Sequence, residues 1–371
     1  MSARPEKQRE KEFILRASTP FGGDLAADTD LDGFDWGFVL DTVFRHRVAA
    51  LVGRSLAGVR GIEYESRREY VLDALLGAHT LNERRNRLLV AEAVRLVGLL
   101  LGQGVQVAVR KGAYLAPAVY RDPGLRPMND IDLFVDRAAA QEVAALLKAE
   151  GYLPGRIDTQ NRIIPLTRRQ SVFWNVHVNN LPAHHRPSGD PCLPSIAVDV
   201  CWDLFLPASG VRLPARRLLD QASPFESDGG TLPVFRPEHF LLDVAAHLHK
   251  ESTTLRYIEK GKHQRLLQYV DIVAVVRANP DLDWALLTAV AAEAGALRNV
   301  YFALANAERL FPSTVPGEVL DRIAADGAIG RDFLHEYGGI DLATPLRWAA
   351  SDIAERLFSD ERPGATSQSP V

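Results

Sequence analysis

Residues 130–135 read Asp-Ile-Asp-Leu-Phe-Val, and the first four alternate acidic and apolar side chains. That period of two predicts a strand with one apolar face and one acidic face. Asp130 and Asp132 then point the same way, about 6.6 Å apart along the strand. Two bare carboxylates so placed repel each other and raise each other's pKa, whereas a divalent cation between them keeps both ionised. Upstream, residues 105–109 form a short apolar run that ends in Arg110, Lys111, Gly112 and Ala113, ahead of a helix-like stretch over 114–120. A strand, a glycine turn and a helix start form a phosphate-binding arrangement, because glycine lets backbone amides approach an anion and the helix dipole adds attraction. Phosphate cradle and metal-binding carboxylates together are what nucleotidyl transfer requires.

A third carboxylate fits the same scheme. Residues 196–202 predict a strand on which Asp199 and Cys201 share the face opposite Val198 and Val200. Sheet pairing beside Asp130 and Asp132 would make a three-carboxylate site for magnesium or manganese, with the remaining positions left for water or phosphate oxygens.

These residues resemble the polymerase-β-type nucleotidyltransferase superfamily. Lys111, Gly112 and Leu115, then Arg126, then Asp130 to Leu133, then Gly151 and Tyr152, and finally Val198 to Leu204 narrow the resemblance to a bacterial nucleotidyltransferase-like family. The chain departs from that family at Cys201, where histidine is usual, and from the superfamily at Ala113, where glycine or serine follows the first glycine. The resemblance implies attack by an acceptor hydroxyl or phosphate on the α-phosphorus of a nucleoside triphosphate. It assigns Asp130, Asp132 and Asp199 to the metal, with Asp199 as a ligand, a general base, or both. Lys111 and Gly112 would meet the triphosphate. Arg126 would neutralise phosphate charge or orient the aspartates. His247, Lys250 and Asp271 would serve the nucleotide from a helical unit. The partners implied are an NTP donor and a small-molecule, sugar or peptide acceptor.

The elements that must position these groups predict an α+β fold: a small mixed sheet flanked by helices, with a helical C-terminal domain. Residues 1–80 read as a mobile tail to about residue 12 and then helices, including one over 34–51 with Asp30 or Asp32 as cap. The catalytic core is expected over 81–235. It opens with a helix over 81–103 and contains a helix over 137–150, stopped by Gly151. Strands are expected at 162–165 and 170–178, and a proline-rich loop over 181–194. In that loop His184, His185 and Cys192 lack the spacing of a zinc site. His185 and Arg186 are candidates for acceptor contact. Helices at 238–250, 265–277, 283–294, 296–310 and 316–325 make up the C-terminal domain over 236–358, and residues 359–371 read as a disordered tail.

Composition sets the outer limits. The 371 residues are 47% hydrophobic and 24% charged, ordinary values for a folded protein of more than one domain. A formal net charge of −4 gives no overall attraction to nucleic acid or anionic membrane. A tRNA- or protein-directed nucleotidyltransferase would need a local basic surface, for which Arg162, Arg168, Arg169 and Arg256 are the candidates. A silent nucleotide-binding protein on the same fold is the other alternative. Two cysteines and a charged start without an apolar signal region lead to the expectation of a cytoplasmic protein without a membrane span.

Overall fold

The computed structural model describes residues 7–21, 25–26, 28–59 and 69–359, apart from the side chains of 173, 175–177 and 331. The chain runs α1 (Gln8–Ala17), α2 (Trp36–Arg45), α3 (Ala49–Leu56), α4 (Glu69–Gly102), β1 (Val107–Arg110), α5 (Gly112–Tyr114), β2 (Ile131–Val135), α6 (Ala140–Ala149), β3 (Leu153–Ile157) and β4 (Ile163–Pro165). It continues with α7 (Arg168–His177), β5 (His184–Asp190), β6 (Leu193–Cys201), α8 (Ala215–Leu219), β7 (Ser223–Ser227), β8 (Gly230–Val234), α9 (Pro237–Thr253) and α10 (Leu255–Glu259). Then come α11 (Leu266–Ala278), α12 (Trp284–Ala294), α13 (Leu297–Leu310), α14 (Gly317–Asp326), the short β9 (Glu336–Tyr337) and β10 (Leu346–Arg347), and α15 (Ile353–Phe358). The fold is α+β, with helices flanking a mixed sheet of eight strands in the order β4-β3-β5-β6-β2-β1-β8-β7. Among the described residues no helix is long and apolar enough to cross a membrane.

Two compact units emerge. One comprises Met1–Thr80, Leu248–Arg277 and Arg298–Val371; the other comprises Leu81–His247 and Ala278–Leu297. The second contains the whole eight-stranded sheet. Its core forms as the alternation dictates: Val107 and Val109 of β1, Ile131, Leu133 and Val135 of β2, and Val198 and Val200 of β6 are buried together with Leu89, Leu96 and Leu100 of α4 and Val143 and Leu147 of α6. The alternate residues are thereby committed to the opposite face. A buried carboxylate, Glu92 of α4, ties this layer together. It takes both Arg95 and Arg186, and the hydroxyl of the buried Tyr152 donates to it at 2.7 Å.

The sequence reading needs correction in several places. Residues 170–177 are helix, not strand, and only Val178 of the expected strand is extended: Thr167 and Gln170 form a reciprocal capping box at the start of α7, and that local signal outweighs the β-branched and aromatic content behind it. Much of the expected loop over 181–194 is strand β5, paired antiparallel to β6, with the register shift falling between Pro187 and Asp190. β3 and the β7–β8 hairpin are additional strands. The tail expected to about residue 12 is helix from Gln8 onward, with Phe13 and Ile14 buried; residues 1–6 lie outside the described residues, as do 360–371 of the expected disordered tail.

The helix expected over 34–51 is two helices. Arg47 stands at φ 63°, and the buried His46 ring bonds to Leu357 O and to the Leu266 amide, which stops α2 there. Burial, with Arg45 nearby, pushes the pKa of His46 down to about 4. The cap of α2 is Asp35, which accepts from the Phe38 amide at 3.0 Å, not Asp30 or Asp32. Helix α4 starts earlier than the expected residue 81, and the stretch over 114–120 opens with α5 and continues as a π-helical turn, Leu115–Val119, around Pro117.

Candidate active site

Strand β2 lies between β1 and β6, and the register brings the chemistry into one row. Asp132 pairs with Arg110 across the antiparallel β1–β2 ladder and with Asp199 across the parallel β2–β6 ladder. Residues paired this way project from the same face, with neighbouring strands about 4.8 Å apart. The face carries Arg110, Asp132, Phe134, Asp199 and Cys201, opposite the core. Asp130 immediately precedes β2 and is half-buried.

Lys111 follows β1 directly and turns the chain at φ 44°, ψ −118°. For a residue with a β-carbon, such a conformation costs on the order of 1–3 kcal/mol and persists only where its surroundings fix it. What fixes it here is Asp132: the Lys111 ammonium donates to Asp132 Oδ1 at 2.6 Å. Burial alone would raise the Asp132 pKa. The charges of Lys111 and Arg110, with Arg126 beyond them, outweigh burial and hold it below the usual carboxylate range. The same pairing raises the pKa of Lys111 against the opposing effect of burial.

Gly112 is held under the loop that leads into β2. A β-carbon there would sit 2.6 Å from Met128 Cγ and 3.0 Å from Arg126 Nη1. The loop is itself pinned by Asn86 of α4, a buried amide that donates to Arg126 O at 2.7 Å and accepts from the Met128 amide at 3.1 Å. Gly112→Ala is therefore expected to lower stability by about 1–3 kcal/mol, seen as an earlier midpoint in chemical denaturation, because Met128 and the Asn86-anchored loop cannot both keep their places.

Beneath this surface Arg110 is buried. Its guanidinium pairs with the carboxylate of Asp243 on α9, Nε to Oδ2 at 2.9 Å, and Nη1 reaches Cys201 Sγ. The Cζ atom lies 5.9 Å from the centre of the Phe134 ring. Burial is the main influence on Cys201 and raises the pKa of its thiol. Asn86 and the Arg110–Asp243 pair were not among the expected site residues. The one available signal was an arginine closing an apolar strand, and its partner is 133 residues away.

The remaining expected residues fall as follows. His247 lies on α9 one turn beyond Asp243, within the unit that holds the sheet; Lys250 and Asp271 belong to the other unit. Asp243, His247 and Lys250 share one stripe of α9 by spacing. In its own unit Lys250 Nζ stands 5.9 Å from the Tyr257 ring centre, and Asp271 is buried in α11. Of the proposed acceptor contacts, Arg186 is engaged with Glu92 and lies over Tyr152 at 4.8 Å. His184 is buried on β5 and its Nδ1 bonds with Pro182 O.

Residues 32–312 match the family described as uncharacterised nucleotidyltransferase. The chain belongs to that family. No curated protein matches this nucleotidyltransferase-family chain. It is similar to a solved structure, an antigenic nucleotidyltransferase-like protein from Paracoccidioides brasiliensis, at 16% identity over 63% of this chain and 92% of that one, with a TM-score of 0.37.

In this member of the family the donor set on the acidic face is carboxylate oxygen, the chemistry that suits magnesium or manganese. Among the described residues no three His, Cys, Asp or Glu side chains converge as a ready-made ion site, and one Asp132 oxygen is already in contact with Lys111. An ion would be held by Asp132 and Asp199, with the charge of Asp130, which already acts on Lys111, beside them.

Proposed function

We propose that the chain is a metal-dependent nucleotidyltransferase that moves a nucleoside monophosphate from an NTP to a hydroxyl or phosphate of a small molecule, sugar or peptide. The observation that carries this reading is the row Arg110, Asp132, Asp199 across adjacent strands, next to a strained Lys111 turn and a close-packed Gly112. In the proposed reaction the acceptor oxygen attacks the α-phosphorus, the bond to the bridging oxygen of the β-phosphate breaks, and pyrophosphate leaves. A bound magnesium or manganese ion would supply Lewis-acid activation and neutralise phosphate charge. Asp132 and Asp199 would hold it. Lys111 and Arg126 both act on the same carboxylate and would meet the triphosphate.

Family membership and the carboxylate row support nucleotidyl transfer as such, and the net charge of −4 favours an acceptor smaller than a polynucleotide. A second reading, nucleotide binding without turnover, is favoured by one contact: the Lys111 ammonium on Asp132. The deciding experiment incubates the full chain with each ribonucleoside triphosphate, magnesium or manganese, and a small-molecule and peptide extract, following pyrophosphate and product mass. A gain of one nucleoside monophosphate supports transfer. Nucleotide binding without pyrophosphate release supports the silent reading, and a gain of phosphate alone rejects both. Asp199→Asn is expected to reduce turnover at least tenfold while changing nucleotide affinity by less than about threefold; unchanged turnover would remove Asp199 from the chemistry.

A further inference from the structure

Lys111 holds one oxygen of Asp132 at 2.6 Å, its side chain is only 18% exposed, and its backbone is held at a positive φ that glycine would tolerate better. The strained position is therefore the lysine itself and not its glycine neighbour, so the turn is shaped to deliver an ammonium group to that carboxylate. We propose that Lys111 is a built-in counter-cation for Asp132, that a divalent ion displaces it, and that its ammonium then transfers to the triphosphate entering with the ion. This rests on the reading of the site given above.

The physical case is one of competition. An ammonium and a divalent ion cannot both contact one carboxylate oxygen without strong repulsion between them. Displaced alone, Lys111 would be left beside Arg110 with only the charge of Asp130, a smaller influence on it than Asp132, to offset its own. With a triphosphate present it gains a stronger anion. The ion and the nucleotide therefore bind better together than apart, and by linkage each strengthens the other to the same extent.

The test is manganese binding by the full chain, read as loss of the free-ion electron paramagnetic resonance signal, with and without a triphosphate analogue carrying a methylene bridge between the α- and β-phosphorus. For the unmodified chain the analogue is expected to tighten manganese binding about tenfold or more. Lys111→Ala is expected to bind manganese alone about tenfold more tightly than the unmodified chain and to lose most of the gain from the analogue. Lys111→Met, which keeps the apolar stem, should behave alike and stands in if the alanine variant folds poorly. Adding Asp132→Asn to either variant should abolish the tight site. Manganese binding that depends on Asp132 but is the same with and without the lysine overturns the exchange while leaving the metal reading intact. Nucleotide binding indifferent to manganese in every variant overturns both.

Discussion

Asp132→Asn is expected to cut pyrophosphate release from nucleoside triphosphate by more than about 100-fold, the upper end of what losing a merely supporting partner of a metal site costs. Asp132 is the centre of the row, paired in register with Arg110 on one side and Asp199 on the other, and it is buried. Asparagine keeps the shape and an acceptor oxygen but removes the charge. Asp130→Asn is expected to act in the same direction, since it removes a negative charge that acts on Lys111 beside Asp132. The stability effect of Asp132→Asn depends on pH in a defined sense. The folded-state pKa of Asp132 lies below its ordinary value, so the carboxylate stabilises the fold above the unfolded value of about 3.9 and loses that contribution as pH falls through the lowered folded value. Denaturation midpoints of the variant and the unmodified chain should therefore differ most at neutral pH and converge in acid. Undiminished pyrophosphate release in the variant would remove Asp132 from the chemistry.

Arg110→Met is expected to destabilise the chain by about 3–5 kcal/mol, because it strands Asp243, a carboxylate with no solvent exposure, without its cation. Asp243→Leu should cost a similar amount by stranding the guanidinium. The two changes together should cost much less than their sum, since a buried ion pair replaced by apolar side chains of similar volume is often nearly neutral. Additive losses in a double-mutant cycle would show that the two side chains act separately. The comparison also divides stability from chemistry. The double variant should fold yet have impaired transfer, because Arg110 is one of the positive charges that hold Asp132 ionised.

Much of the candidate site was legible because a strand with one wholly apolar face writes its geometry as alternation, even where, as in β2, both faces are covered. Asp132 and Asp199 stand between apolar neighbours, and those neighbours pack on α4 and α6 as that pattern requires. The long helices of residues 237–326 were legible for the corresponding reason, a sustained helical period. What was not legible depended on partners. The start of α7 is decided by two side chains, Thr167 and Gln170, bonding back to each other's amides, inside a segment whose composition favours a strand. β5 carries two prolines' worth of disguise, Pro182 just ahead of it and Pro187 within it, and is defined by the backbone of β6 opposite. Asn86 sits among charged neighbours on α4 and looks like surface until the loop over 123–128 closes on it. The Arg110–Asp243 pair joins a strand to a helix far along the chain, and no local pattern marks it.

The two outermost strands of the sheet, β4 and β7, each contain a proline, Pro165 and Pro224. Each border of the ladder thus lacks one amide hydrogen at a place where an incoming chain would look for a donor, and β4 is only three residues long. An open sheet with long, regular borders is a template for strand addition and for growth into fibrils. Here both borders are interrupted, so the eight-stranded sheet offers an incoming strand a poor template at either end.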